Sequence, residues 1–333
     1  MNAQSPPDPT SVAVEADAML VERAKRRTKD SIVELVGRTP LVRLGTFEKD
    51  CPNVQIWAKC EFMNPGGSVK DRAANQIIAD AIASGKLSRD KELIDASSGN
   101  TGIAYSLIGG ALGYKVKLVL PENVSWVRKK MAQAFGTTLV FSSDMEGSDG
   151  AIRLCRKLVA EEPDRYFYPD QYGNESNPRG HFLTTASEIW EQTGGAVTHF
   201  VAGIGTSGTI MGTGRGLRAK NDKIEVWAVE PDDALHGLEG LKHMESSIVP
   251  DIYKPAELNG IIKMPTDEAW EIAERLSTEA GILVGHSSGA ALGGAVRIAR
   301  KLAAAGKPGV VVTVFPDRAD RYFEAPRPAK TGQ

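Results

Sequence analysis

The sequence predicts an α/β protein with mostly parallel sheets. Short apolar runs of strand length alternate with helical runs along most of the chain. Three loops rich in glycine and hydroxyl residues each follow a strand run and open a helical run, the strand–loop–helix order of parallel α/β units. The length, 333 residues, is enough to bury a large core, divided between two domains.

In chain order, residues 1–30 begin Pro- and Ser-rich and end in a charged segment, 21–29, read as a disordered extension closing in a short helix against a partner subunit. They have no apolar signal-peptide core, and Glu15 and Asp17 argue against a transit peptide. Residues 54–60 read as a strand and 73–82 as a helix. A short apolar segment, 93–95, precedes a helical run over 103–112. Strand and helix patterns then alternate over 115–120, 125–135, 138–141 and 148–161. The pattern resumes with strand 199–202 and helix 210–218, then strands 225–229 and 310–315. The stretch after Glu324 is Pro-rich and read as a loose tail, and no internal repeat is visible.

Forty basic residues against 42 acidic ones give a net charge of −2, which implies no broad surface for nucleic acid or anionic membranes. No apolar run approaches the length of a membrane span. Cys51, Cys60 and Cys155 form no CxxC pair and are odd in number, as expected of free thiols in a reducing compartment. The five histidines show no metal-ligand spacing, so no metal is expected.

The chemistry concentrates in the three loops. Asn64-Pro65-Gly66-Gly67-Ser68-Val69-Lys70-Asp71-Arg72 places one lysine where a loop becomes a helix. Unpaired N–H groups there favour anions, and positive potential lowers the pKa of an amine, leaving it neutral and nucleophilic. The bland alternative is a surface lysine after a Gly-rich turn. Ala96-Ser97-Ser98-Gly99-Asn100-Thr101-Gly102 presents hydroxyls, an amide and N–H groups at a helix start, a site suited to a carboxylate. Asn100 both donates and accepts, so it can read a phenolate-type ring oxygen. An ordinary N-cap is the plainer alternative. Gly203-Ile204-Gly205-Thr206-Ser207-Gly208-Thr209 reads as a phosphate cradle; it lacks the Gly-Lys-Ser/Thr ending of a Walker A loop and sits too late for a dinucleotide fingerprint. A carrier lysine, a carboxylate site and a phosphate site together fit pyridoxal 5′-phosphate holding an amino acid.

On these residues the chain resembles the cysteine synthase and cystathionine β-synthase family, fold-type II pyridoxal-phosphate enzymes. The resemblance runs from about Ile32 to about Tyr322 and is closest to O-acetylserine sulfhydrylase-like cysteine synthases. It includes Gly37-Arg38-Thr39-Pro40-Leu41-Val42, Pro121-Glu122-Asn123, Gln171-Tyr172-Gly173-Asn174 and Gly285-His286-Ser287-Ser288-Gly289-Ala290 beside the three loops. It implies two three-layer α/β domains of the tryptophan synthase β-subunit-like type, with the cofactor between them. The larger domain would span 31–62 and 171–324, and a smaller mobile one 63–170. It implies Lys70 as the Schiff-base lysine and later the acid/base at the α-proton. Asn100 would bond the cofactor ring oxygen, and Gly205, Thr206, Ser207, Gly208 and Thr209 would hold its phosphate. Ser97, Ser98, Gly99, Thr101 and Gln171 would form the substrate-carboxylate site, and Ser287 would partner the pyridine nitrogen. A neutral hydroxyl there forces no proton onto the ring, which suits β-elimination without a long-lived carbanion.

The departures are Arg38 where Asn is frequent, Ser97 for Thr, Ala186-Ser187 for Gly-Pro, His286 for a small or aliphatic residue, and Asp317 for a small hydroxyl residue. The last two bear on hydrogen bonding near the pyridine nitrogen. The resemblance implies a cytoplasmic homodimeric cysteine synthase that converts an O-activated L-serine and sulfide, or a sulfur carrier, to L-cysteine through an aminoacrylate. O-acetylserine is the first choice of substrate. Pro65 favours this over cystathionine β-synthase, where Ala is usual, and the length leaves no room for a C-terminal regulatory pair. O-phosphoserine sulfhydrylase, cystathionine β-synthase, a diaminopropionate-forming synthase and a serine/threonine dehydratase are the alternatives; intact Lys70 weighs against a non-catalytic binding protein. Lys242, in Gly237-Leu238-Glu239-Gly240-Leu241-Lys242-His243, borders the leaving-group region, where phosphoserine users carry a cation; its plain alternative is a solvated lysine answering Glu239 or Glu245.

Overall fold

The computed structural model describes residues 29–97 and 99–323. The expected N-terminal extension up to residue 28, the tail from Glu324 and Ser98 lie outside the described residues.

The strands are β1 Leu41–Arg43, β2 Val54–Cys60, β3 Glu92–Ala96, β4 Lys115–Pro121, β5 Thr138–Ser142, β6 Tyr166–Phe167, β7 His199–Gly203, β8 Glu225–Pro231, β9 Gly260–Met264 and β10 Gly309–Phe315. The α-helices are α1 Lys70–Ala83, α2 Asn100–Ala111, α3 Trp126–Ala134, α4 Gly147–Glu161, α5 Ser176–Leu183, α6 Thr185–Gln192, α7 Gly208–Arg218, α8 Thr266–Ala280 and α9 His286–Ala304. A six-stranded sheet has the order β1-β2-β10-β7-β8-β9, and a four-stranded sheet the order β5-β4-β3-β6. Among the pairings of these strands only β1–β2 is antiparallel. The α/β class with mostly parallel sheets is therefore as expected.

Parallel strands covered by helices on both faces read as continuous apolar runs, and β10 shows why. Along Gly309-Val310-Val311-Val312-Thr313-Val314-Phe315, Val311 and Phe315 pack into one core with α8 and α9, while Val312 and Val314 pack into another with α6 and α7. The smaller sheet does the same. Leu93, Val116, Leu118 and Leu120 face α1 and α2, while Ile94 and Val119 face α4.

The long helix α9 was not among the elements legible in the sequence. Its buried side is rich in small residues, Gly289, Ala290, Ala291, Gly293, Gly294 and Ala295. Gly294 lies over Val229 and Val201 of the sheet, and Gly289 lies against the backbone of Ala269 in α8, so small residues there allow close approach on both sides.

Helix α1 starts at Lys70 itself, three residues earlier than expected. Its first turn is anchored by a buried ion network. Arg72 Nε donates to Glu61 Oε2 at 2.6 Å and Nη2 to Glu61 Oε1 at 2.8 Å. The same guanidinium donates to Glu188 Oε1 at 2.7 Å and Oε2 at 2.8 Å. Lys59 Nζ reaches Glu188 Oε2 at 2.7 Å. The Gly37-Arg38-Thr39 motif closes this network: Arg38 N donates to Glu188 Oε1 at 2.9 Å, and Thr39 Oγ1 donates to Glu61 Oε1 at 2.7 Å. Arg38 has φ +49°. Asn is enriched in that left-handed region and an arginine is not, which explains physically why Asn would suit the position.

Candidate active site

The three sequence loops converge on one cavity of about 390 Å³ between the two sheets. Lys70, Ser97, Gly99, Asn100, Thr101, Gln171, Gly205, Thr206, Ser207, Thr209, Lys242 and Ser287 all line it. Gly208 opens α7 behind the third loop and does not reach the wall.

Lys70 occupies the first position of α1. Burial lowers the pKa of its amine, opposed in part by the carboxylate of Asp317. A less basic amine in a dry cleft is what a nucleophilic lysine requires. The expected open anion site at this helix start is not present. Lys70 N donates to Ser68 Oγ at 3.3 Å, and the Asp71 carboxylate folds back to accept from Gly66 N at 2.5 Å. Burial pushes the Asp71 carboxyl up to about 7, so its bond to Gly66 ties the loop to the first turn of α1 rather than adding a full charge at the helix end.

In the second loop, Ser97 Oγ accepts from Gly102 N in the first turn of α2 at 3.0 Å, from two residues before the N-cap Gly99, and its hydrogen stays free to donate. Thr101 Oγ1 donates to Gln171 Oε1 at 2.8 Å, which joins the loop to the 171–174 segment. That bond uses the Gln171 carbonyl and frees its amide N–H groups for a carboxylate. Asn100 Nδ2 donates to Asp317 Oδ2 at 2.6 Å.

The third loop has the chemistry of an anion cradle. Ser207 has φ +69°, a left-handed turn that swings the chain into α7. Its Oγ is buried without a hydrogen-bond partner. A buried orphan hydroxyl costs about 1–3 kcal/mol unless a ligand meets it. The first turn bond of α7 runs from Met211 N to Ser207 O at 3.0 Å, so the preceding N–H groups are those a helix start leaves for an anion. Gly205 and Gly208 also leave no room for a side chain. A Cβ on Gly205 would strike the carbonyl of Gly240, and one on Gly208 the side chain of Asn177.

Asn177 is one of the residues the sequence does not reveal. Its Nδ2 donates to Gln171 O at 2.8 Å and to Thr206 Oγ1 at 3.3 Å, tying the carboxylate side of the cavity to the phosphate side. His181 supports the same corner, with Nε2 3.3 Å from Thr209 Oγ1 and Nδ1 2.9 Å from Thr185 Oγ1. Burial and the nearby Arg72 charge push the His181 pKa down to about 3, so the ring is neutral at physiological pH. Asn177 lies only three residues beyond the Gln171-Tyr172-Gly173-Asn174 motif, but nothing local marks it.

Ser287 lies in the first turn of α9, buried, with its neighbour His286 stacked on Trp270 at 4.2 Å between ring centroids. The departure His286 thus points away into an aromatic stack. Asp317 is buried, takes hydrogen bonds from Asn100 and the Tyr322 hydroxyl, and has its second oxygen unpartnered. Desolvation raises its pKa.

Lys242 is not the solvated partner of Glu239 or Glu245. Glu239 pairs with Arg128, and Glu245 with Lys263 at 3.3 Å. The Lys242 amine sits 5.0 Å from the centre of the Tyr172 ring, beside the cavity. Burial lowers its pKa against the opposing pull of Asp149.

A family model described as pyridoxal-phosphate dependent enzyme matches residues 32–317. The chain belongs to that family. A cysteine synthase from Aquifex aeolicus is 50% identical over 300 residues, covering 90% of this chain and 92% of the relative. The crystal structure of a cysteine synthase from Entamoeba histolytica superposes with a TM-score of 0.85 at 34% identity, covering 97% of this chain and 92% of that one. An O-acetyl serine sulfhydrylase isoform 3 from the same organism gives 0.85 at 34% identity, covering 100% and 97%. The fold is that of fold-type II pyridoxal-phosphate enzymes. The protein is a cysteine synthase that uses pyridoxal 5′-phosphate, and the orphan Ser207 hydroxyl, the open start of α7 and the Lys70 amine fit that cofactor.

Proposed function

We propose that the protein makes L-cysteine by β-replacement on an O-activated L-serine, O-acetylserine by preference, with sulfide as nucleophile. The observation that carries this reading is the convergence of Lys70, the Asn100 loop and the Ser207 loop on a single cavity. When bound, pyridoxal phosphate draws electrons from the substrate's α-carbon. Lys70 would hold the cofactor at Nζ and take the α-proton there, and the burial that lowers its pKa favours the neutral form. Thr206, Ser207, Thr209 and the start of α7 hold the phosphate, and Asn100 meets the ring oxygen. Ser97, Thr101, Gln171 and the N–H groups at Gly99 orient the substrate carboxylate. Ser98 belongs to the same loop by sequence and lies outside the described residues.

Residues 31–62 and 171–324 form the larger body in this reading, and 63–170 a smaller mobile one that closes to exclude water. The Arg128–Glu239 ion pair, which joins α3 to the 232–243 loop across the cleft, supports such a closure. A cytoplasmic homodimer acting on small molecules completes the proposal, and light scattering of the purified protein tests the dimer. No described helix is long and apolar enough to cross a membrane. Product analysis with and without sulfide tests the reaction itself. Cysteine only with sulfide supports a synthase; pyruvate formed at full rate without sulfide would make it a dehydratase.

Ser287→Asp is expected to slow β-replacement by roughly tenfold, about 1.4 kcal/mol in the barrier, and to raise long-wavelength cofactor absorption. A carboxylate favours a protonated ring nitrogen and so a stronger electron sink. Unchanged turnover and spectra would remove Ser287 from that role.

Lys242 favours a second reading, in which the leaving group is phosphate. Its amine borders the cavity without a carboxylate partner among the described residues. A charge-assisted bond to phosphate contributes about 1.5–3 kcal/mol. Catalytic efficiency on O-acetylserine and O-phosphoserine, compared in the parent and Lys242→Ala, separates the two. A phosphoserine preference lost by about tenfold or more in the variant makes phosphoserine the substrate; equal effects on both leave O-acetylserine.

A further inference from the structure

Asn100 is held from both ends of its amide by the segment that follows β10. Arg321 Nη1 donates to Asn100 Oδ1 at 2.6 Å, and Asn100 Nδ2 donates to Asp317 Oδ2, also at 2.6 Å. The clamp is itself fixed. Arg321 Nη2 donates to the carbonyl of Gly66 in the lysine loop, Tyr322 donates its hydroxyl to Asp317 Oδ2, and Gly285 N donates to Asp317 O at 3.1 Å. Asn100 opens α2 beside the smaller sheet, whereas Asp317 follows a strand of the larger one. The lysine loop, the substrate loop and the start of α9 thus meet at this short segment.

An asparagine amide can present either its oxygen or its nitrogen to a given side, and a free one turns between the two. Here the partners decide. A guanidinium only donates, so the side facing Arg321 must be the oxygen. The nitrogen is then forced toward Asp317, and one of its two N–H bonds is used there. The other is left for the cavity that Asn100 lines. A flipped amide would set its N–H₂ against the guanidinium and its oxygen against the carboxylate, two repulsions in a partly buried site.

We infer that Arg321, with Asp317, is a positioning residue that fixes the Asn100 amide as a hydrogen-bond donor toward the cofactor ring oxygen. The inference rests on the reading of Asn100 given above.

A double-variant cycle on the holoenzyme tests this, read in the absorption bands of the bound cofactor and in the cofactor dissociation constant. Asn100→Ala and Arg321→Met are each expected to shift the bands and weaken cofactor binding about tenfold, the worth of one good hydrogen bond. Acting through Asn100, the second change should add nothing to the first: Asn100→Ala with Arg321→Met should match Asn100→Ala alone. Arg321→Lys, still a pure donor, should restore the parent spectrum in part. Multiplied effects in the double variant, or an Arg321→Met spectrum like the parent's, would overturn the clamp while leaving the reading of Asn100 intact. An unshifted spectrum in Asn100→Ala would overturn both. If loss of the Gly66 contact keeps Arg321→Met from folding, Arg321→Gln runs the same cycle, because its amide can present an acceptor as readily as a donor.

Discussion

Lys70→Ala is expected to abolish turnover, by roughly 10⁴-fold or more, because both the covalent hold on the cofactor and the acid/base at the α-carbon are lost together. Among the described residues Lys59 and Lys242 also have lowered pKa values, and Lys59 is the fully buried one. Its amine is committed elsewhere. Lys59 Nζ bonds Glu188 at 2.7 Å, the Thr39 carbonyl at 2.5 Å and Gln192 Oε1 at 2.8 Å, which uses all three of its protons and keeps it charged. The Lys70 amine faces the cavity, with the Asp317 carboxylate as the charge that acts on it. Borohydride reduction of the holoenzyme followed by peptide mapping should therefore place the label on Lys70 alone. A label on Lys59 or any other lysine would sink the assignment, whatever the activity of the variant.

What was legible in the sequence divides along a physical line. Lys70, the Ser97–Thr101 loop and the Gly205–Thr209 loop could be found because each is a contiguous run at a strand-to-helix junction, where a few residues decide the local geometry. Gly208 also has a packing reason to lack a Cβ that the sequence does not show, the room taken by the Asn177 side chain. Asn177, His181 and Arg321 were not legible as site residues, because their roles depend on partners far away in sequence. Arg321 meets Asn100 across 221 positions, and Asn177 meets Thr206 across 29. The Gly37-Arg38-Thr39 motif was visible as a motif but not as a function. Its purpose appears only when Glu188, 150 positions beyond Arg38, is brought under the Arg38 N–H.

That same network carries the second large effect. Arg72→Ala should cost about 3–5 kcal/mol of stability, the usual result of removing one partner from a buried ion network. Arg72 and Glu61 are almost wholly buried, and Glu188 is partly exposed. Without the guanidinium, Glu61 is left with Thr39 and Asn64 as donors, and its negative charge has no cation in direct contact. Glu188 keeps Lys59, so most of the cost falls on Glu61. Glu188→Gln should accordingly cost less than Arg72→Ala, because Arg72 retains its two bonds to Glu61. Acid sensitivity gives a second reading of the same contact. Arg72 and Lys59 hold the Glu188 carboxyl down at about 2, below its ordinary 4.5. The unfolded chain binds that proton first as pH falls, so the stabilisation is complete above about 4.5 and is lost toward 2. Removing Arg72 raises the folded value, narrows that window and takes away part of the stabilisation. Urea midpoints at neutral pH and across the acid range, for the parent and both variants, check the order. Arg72→Ala as stable as the parent would mean that the network's attraction only balances its desolvation. The first turn of α1, and Lys70 with it, would then be held by the Asp71–Gly66 bond and the packing of Ile77 and Ile78.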